Sequence, residues 1–212
     1  MMAGSGRRSL LMGLALLALG AGLNAAWVPA KAVAGQWLLE RAWQQGARRG
    51  VAVRPWPWAD THPVAVLEIP GIGLRQLVLE GASGRNLAWG PTLLSPPDSA
   101  DRVLSGHRDT HFERLQGLRP GDEILVTTAR EVRRYAVAWL DIVDSRQQEL
   151  VLEPGRDRLT LVTCYPFDSP LPGGPLRLVV TALPADRPQA LSQAGTGKSR
   201  LRRNSGLNSL DW

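Results

Sequence analysis

The residues of this 212-residue chain with chemistry to offer are a single cysteine, a pair of histidines and an arginine set inside an apolar run. Cys164 closes the run Leu159-Thr160-Leu161-Val162-Thr163-Cys164, and without a second cysteine it forms no internal disulfide. A lone cysteine is commonly a small apolar core residue, so its chemistry depends on what stands near it. His107 and His111 lie in Ser105-Gly106-His107-Arg108-Asp109-Thr110-His111, directly after another strand-like run. Their spacing is that of a zinc-protease helix, but the glutamate that such a helix carries after its first histidine is replaced by Arg108. A metal site built from both histidines and Cys164 is therefore the weaker use of these groups, and no metal is expected. Arg177 sits in Leu176-Arg177-Leu178-Val179-Val180, where strand alternation alone would turn it to solvent. Taken together, Cys164, His107 and Arg177 supply a nucleophile, an acid/base and a fixed cation for oxyanion charge. Those are the parts of acyl transfer through a thioester.

The elements that must hold these groups read as short strands. Residues 64–69, 74–79, 102–105, 123–128, 131–143, 158–163 and 176–182 are rich in Val, Ile, Leu, Thr and Tyr. Gly71, Gly73, Pro96-Pro97, Pro120-Gly121 and Pro154-Gly155 punctuate them. Strands this short and this frequent predict one closed barrel or a sandwich, with short helices near 85–88 and 112–115. His107 and Cys164 then stand at strand ends, on a rim open to substrate. Gly81-Ala82-Ser83-Gly84 sets a tight turn rather than a phosphate site. Residues 195–199 lack the earlier glycine and the preceding strand that a phosphate-binding loop needs.

Ahead of the strands, residues 9–30 carry no charge and follow Arg7 and Arg8. A run of about 20 apolar residues is enough to cross a hydrocarbon core, and the basic flank predicts that the N-terminus stays in the cytoplasm. The expected organisation is a cytoplasmic start at 1–8 and an uncleaved transmembrane signal anchor at 9–30. A helical stalk with a Pro/Trp linker follows at 31–60, then a catalytic barrel at 61–184 and a disordered basic tail at 185–212. The linker is Pro55-Trp56-Pro57-Trp58, whose tryptophans are expected to dock on the domain. The formal charge of +6 sits mainly in the flanks and the tail, leaving residues 50–185 slightly acidic. That distribution argues against a nucleic-acid groove and for contact of the basic flanks with inner-membrane lipids.

Several spaced motifs resemble the sortases, membrane-anchored cysteine transpeptidases. Thr160-Leu161-Val162-Thr163-Cys164 is similar to the family's TLxTC signature, Gly106-His107-Arg108 to its histidine motif, and Arg177 to the arginine after the cysteine. Pro55-Trp56-Pro57-Trp58-Ala59-Asp60-Thr61, Gly81-Ala82-Ser83-Gly84, Gly106-His107-Arg108-Asp109-Thr110-His111-Phe112 and Thr163-Cys164-Tyr165-Pro166-Phe167-Asp168 resemble the sortase class of Gram-negative proteobacteria. The resemblance implies a mainly β fold: a closed eight-stranded sortase-type barrel with short helices. It implies catalysis by Cys164, His107 and Arg177 without a cofactor, with Thr163 shaping the substrate pocket. Its substrate would be an exported protein bearing an LPxTG-like C-terminal sorting signal, joined to an amine acceptor whose identity the residues leave open. The implied placement is single-pass in the inner membrane with the catalytic domain facing the periplasm. His111 is expected to pack near the site, Asp109 to orient the His107 loop, and His62 to lie at the surface. A non-catalytic envelope barrel that binds exported proteins or lipids is the competing reading.

Overall fold

The computed structural model describes residues 3–153, 155–171, 173–185, 201–202 and 209–210. Two compact units divide the chain, Met1–Leu38 and Leu39–Trp212. A long helix, α1 (Ala3–Arg49), carries Pro29 inside it and ends at Gly50, whose φ of 67° and N–H bonded to the Gly46 carbonyl at 2.8 Å close the last turn. Among the described residues, no helix is long and apolar enough to cross a membrane. This overturns the transmembrane anchor expected at 9–30, and with it the single-pass inner-membrane, periplasm-facing placement. Gly13, Gly20, Gly22 and Asn24 dilute the leucines of that run, and Pro29 and Lys31 close it.

The second unit is built on a closed barrel. Its strands are β1 (Pro63–Ile69), β2 (Leu74–Glu80), β3 (Thr92–Leu93), β4 (Asp101–Ser105), β5 (Glu123–Thr128), β6 (Val132–Asp144), β8 (Arg158–Cys164) and β9 (Leu176–Pro184). They close in the order β1-β2-β3-β4-β8-β9-β6-β5, and closure leaves no unpaired edge within the barrel. The sheet is mixed: β2 runs parallel to β3 and β4 parallel to β8, while the other neighbours are antiparallel. Short α2 (Gly84–Leu87) and a 3-10 turn at Glu113–Gly117 fall close to the helices expected from sequence. Outside the barrel, β7 (Glu149–Val151) pairs with β10 (Leu201–Arg202) and β11 (Ser209–Leu210). The rest of the tail expected at 185–212 lies outside the described residues, Ala185 apart.

Alternation along the strands sorts the apolar side chains into an inner and an outer set. Leu67, Ile69, Leu104, Phe112, Leu159, Leu161, Leu178 and Val180 fill the barrel. Val103, Val143, Val162 and Val179 point outward and are covered by Leu150 of β7. A third cluster packs Leu39 and Trp43, from the end of α1, against Val66, Leu77 and Leu79 on the outside of β1 and β2. Trp56 joins it and packs against Trp89 with ring centroids 5.1 Å apart and ring planes tilted by 58°, so the linker docks through this tryptophan, while Trp58 is 81% exposed.

The first rung of β4 and β8 carries a buried ion pair. Asp101 and Arg158 are register partners, both almost wholly buried, and the guanidinium donates to the carboxylate through two bonds of 2.9 and 2.5 Å. Asp101 also accepts the Glu153 N–H, and Arg158 donates to the Val151 carbonyl, so the covering segment is tied to the same rung. Slipping β4 against β8 by one residue would leave both charges buried and unpaired, which makes the pair a register lock.

Candidate active site

The register of β4 with β8 brings the histidine loop beside the cysteine. Ser105 pairs with Val162, the Gly106 N–H continues the ladder to the Val162 carbonyl at 3.1 Å, and Thr163 donates its hydroxyl to the Gly106 carbonyl at 2.7 Å. His107 leaves this ladder exposed, one residue beyond Gly106. Glycine is needed there because a Cβ at 106 would lie 2.7 Å from the Phe112 ring, which is fully buried in the barrel. The loop then folds back, with the Phe112 N–H bonded to the His107 carbonyl at 3.0 Å.

On the other side of β8, Cys164 faces Arg177 of β9. The next pair, Tyr165 and Leu176, shares a ladder bond of 3.0 Å, so Cys164 and Arg177 form the closer, non-hydrogen-bonded kind of pair. Both lie two residues from outward-facing valines, Val162 and Val179, and therefore open on the outer face of the barrel. Cys164 is a free thiol and half-buried. Arg177 donates Nη1 to the carbonyls of Gly174 at 2.6 Å and Leu176 at 3.0 Å, while its Nε and Nη2 bond no acceptor among the described residues. Its charge also helps hold Asp144 at about 2, chiefly the work of hydrogen bonds from the Arg146 side chain and N–H.

Sequence reasoning missed Arg108. It is 4% exposed, and its guanidinium clasps the Asp109 carboxylate while donating to the Pro166 carbonyl at 2.7 Å and the Ser169 carbonyl at 3.1 Å. One cation thus ties the histidine loop to the loop that follows the cysteine. The bond to Asp109 is the main cause that raises Arg108 above its ordinary value, with the charges of Asp109, Cys164 and Asp168 adding, and the same bond holds Asp109 low. Only the Gly-His-Arg order was visible in sequence; the burial that makes the arginine a clasp comes from the tertiary fold.

His111 is half-buried beside α2. Burial lowers its basicity, a hydrogen bond with the Ala88 backbone opposes that, and the nearby His107 lowers it further. His62 is half-buried, 3.1 Å from Glu80. Thr163 is 2% exposed, with its hydroxyl turned to Gly106. Among the described residues, no group of three or more His, Cys, Asp or Glu side chains is placed to hold a metal. A thiol, an imidazole and a guanidinium on one rim form a set suited to acyl transfer.

A model of the sortase domain matches residues 67–185, more than half of the chain. The chain belongs to the sortase family. It is 33% identical over 107 residues to Sortase D of Bacillus subtilis (strain 168), covering 48% of this chain and 54% of that one. With Sortase A of Bacillus anthracis it shares 27% over 105 residues, or 46% and 50% of the two chains. This sortase therefore spans about half the length of the curated relatives it matches. Among solved structures, Sortase A from Corynebacterium diphtheriae superposes with a TM-score of 0.53 at 26% identity, covering 61% of this chain and 63% of that one. The Sortase D5 transpeptidase of Clostridium perfringens has a TM-score of 0.56 and covers 72% of this chain and 98% of that one. At 18% identity it bears on the fold alone. Sortases are cysteine transpeptidases, and this sortase holds one cysteine, Cys164.

Proposed function

We propose that the chain is a cysteine transpeptidase that cleaves an LPxTG-like sorting signal near the C-terminus of a protein and transfers that protein to an amine. Cys164 passes its thiol proton to His107, and its Sγ attacks the threonine carbonyl carbon of the signal. The oxyanion that forms is held by the Nε and Nη2 donors of Arg177 left uncommitted within the fold. As the carbon–nitrogen bond breaks, His107 gives its proton to the departing amine, and a thioester remains on Cys164. An incoming amine then attacks the thioester carbon and loses a proton to His107. The new amide forms and the cysteine sulfur is released.

The observation that carries this reading is the facing pair Cys164 and Arg177, on a rim to which the Thr163–Gly106 bond ties the His107 loop. Thr163 serves in it as that tie. Residues 61–184 form the catalytic unit of the proposal, with the helix and linker before it and the basic tail after it as accessory segments. The motifs that span Pro55 to Thr61, Gly81 to Gly84, Gly106 to Phe112 and Thr163 to Asp168 support placing the chain in the proteobacterial class. The test is Cys164→Ala: the variant stays folded, loses all cleavage of a sorting-signal peptide and forms no acyl-enzyme. Cleavage retained in that variant overturns the proposal.

A further inference from the structure

The outer face that carries Cys164 and Arg177 continues away from the rim with polar side chains among its valines. Thr160 lies two residues before Val162 on β8 and so shares its face. Register sets Thr181 beside Thr160, Trp139 beside Thr181 and Asp141 beside Val179. Thr92 joins the same face from β3 through Ser105, the partner of Val162. Thr92, Thr160 and Thr181 are wholly buried. Their three hydroxyls, Trp139 Nε1 and Asp141 Oδ2 have no hydrogen-bond partner among the described residues. A settled interior rarely leaves so many neighbouring polar atoms unpaired.

The segment between β6 and β8 covers this face. Leu150 of β7 seats on Val103, Val143, Val162 and Val179, and farther along Arg158 bonds the Val151 carbonyl while Asp101 accepts the Glu153 N–H. Thr160 stands between Val162 and Arg158, beneath this cover. β7 pairs with no strand of the barrel, and both its edges are taken by the C-terminal tail. Leu201 and Arg202 pair with Leu150 and Glu149 on one edge, and Ser209 and Leu210 with Val151 and Leu150 on the other. A three-residue strand has little pairing of its own, so its order as a strand depends on those two edges. The cover gives the polar atoms below it nothing to bond. An extended peptide laid on the same face would bring backbone N–H and C=O groups to them.

We propose that the C-terminal tail is an autoinhibitory strap: β10 and β11 hold β7 down over the outer face, and a peptide reaches Cys164 along that face only after the strap lets go. The effect on turnover rests on the transpeptidase reading; the strap itself does not, and the experiment reads the two separately. In the full chain, Arg202→Pro with Leu210→Pro removes one backbone N–H from each tail strand, and Arg202→Ala with Leu210→Ala keeps both. Hydrogen exchange across Glu149–Val151 is expected to be about tenfold faster or more in the proline variant and unchanged in the alanine variant. Alkylation of Cys164 by iodoacetamide, small enough to pass the strap, is expected to match the parent chain in both. Alkylation by a tetrapeptide chloromethyl ketone, and kcat/KM for a sorting-signal peptide, are each expected to rise about fivefold or more in the proline variant alone, because a larger fraction of the protein is open. Unchanged exchange overturns the proposal, as does faster exchange with no gain in the ketone rate. An equal rise in the iodoacetamide rate also overturns it, since that would be general loosening of the rim. If exchange and ketone rates rise while no variant cleaves the peptide, the strap stands and the transpeptidase reading falls.

Discussion

Arg177 is oriented by the carbonyls of its own hairpin, so part of its fork is fixed before any substrate arrives. Losing a preorganised oxyanion donor costs about 10²- to 10³-fold in kcat. Arg177→Ala is therefore predicted to lower kcat for a sorting-signal peptide by that factor, and Arg177→Lys to recover only part of it because a point charge does not reproduce the fork. Arg108 acts one step back. Its clasp orders both loops and places a cation near the cysteine sulfur, so Arg108→Gln is predicted to slow alkylation of Cys164 at neutral pH in a protein that remains folded. An unchanged alkylation rate would contradict that role. His111 carries a pH signature. Its basicity is depressed in the fold below the ordinary 6.5, so the unfolded chain takes up the proton first. Its contribution to stability is whole above about pH 6.5 and is lost as pH falls toward the folded value. His111→Gln is predicted to flatten the fall of Tm with pH below 6.5, and an unchanged slope would contradict the burial argument.

The register of β4 against β8 decides whether His107 and Cys164 share a rim, and the buried Asp101–Arg158 pair fixes that register. Breaking one side of a buried pair costs about 3–5 kcal/mol because the other charge is left without a partner. Asp101→Asn is predicted to lower stability by that amount in urea unfolding and to lower turnover with it. Asp101→Leu combined with Arg158→Met is predicted to regain most of the stability. Gly106→Ala presses a methyl group on Phe112, and overpacking of this kind costs about 1–3 kcal/mol. The longer strands were legible in sequence because β-branched residues and turn glycines and prolines bounded them. Thr92–Leu93 and Glu149–Val151 were not, since pieces this short have no period of their own and form only where a neighbour offers an edge. The buried ion pair was equally hidden, because Arg158 at the start of an apolar run reads as a solvated end until Asp101 is known to face it.

At the scale of the molecule, the apolar clusters described here all lie at or after Leu39, within the second compact unit. A chain beginning at Leu39 is predicted to unfold in urea with the midpoint of the full chain; a lower midpoint would show that residues before Leu39 contribute. The barrel and the cysteine, histidine and arginine on its rim were legible because spaced motifs agreed in order. Closure by parallel pairing of β4 with β8 was not, since it depends on contact between segments far apart in the chain. The N-terminal run shows the converse: leucine content suggested a span, whereas no described helix is apolar enough to be one. What joins these scales is the thioester proposed on Cys164. Intact-protein mass spectrometry after incubation with a sorting-signal peptide measures it directly. The predicted result is an adduct on Cys164 equal in mass to the peptide up to its threonine, discharged by added amine and absent in Cys164→Ala. Peptide cleavage with Cys164 unmodified throughout, or an adduct that persists in Cys164→Ala, would contradict it.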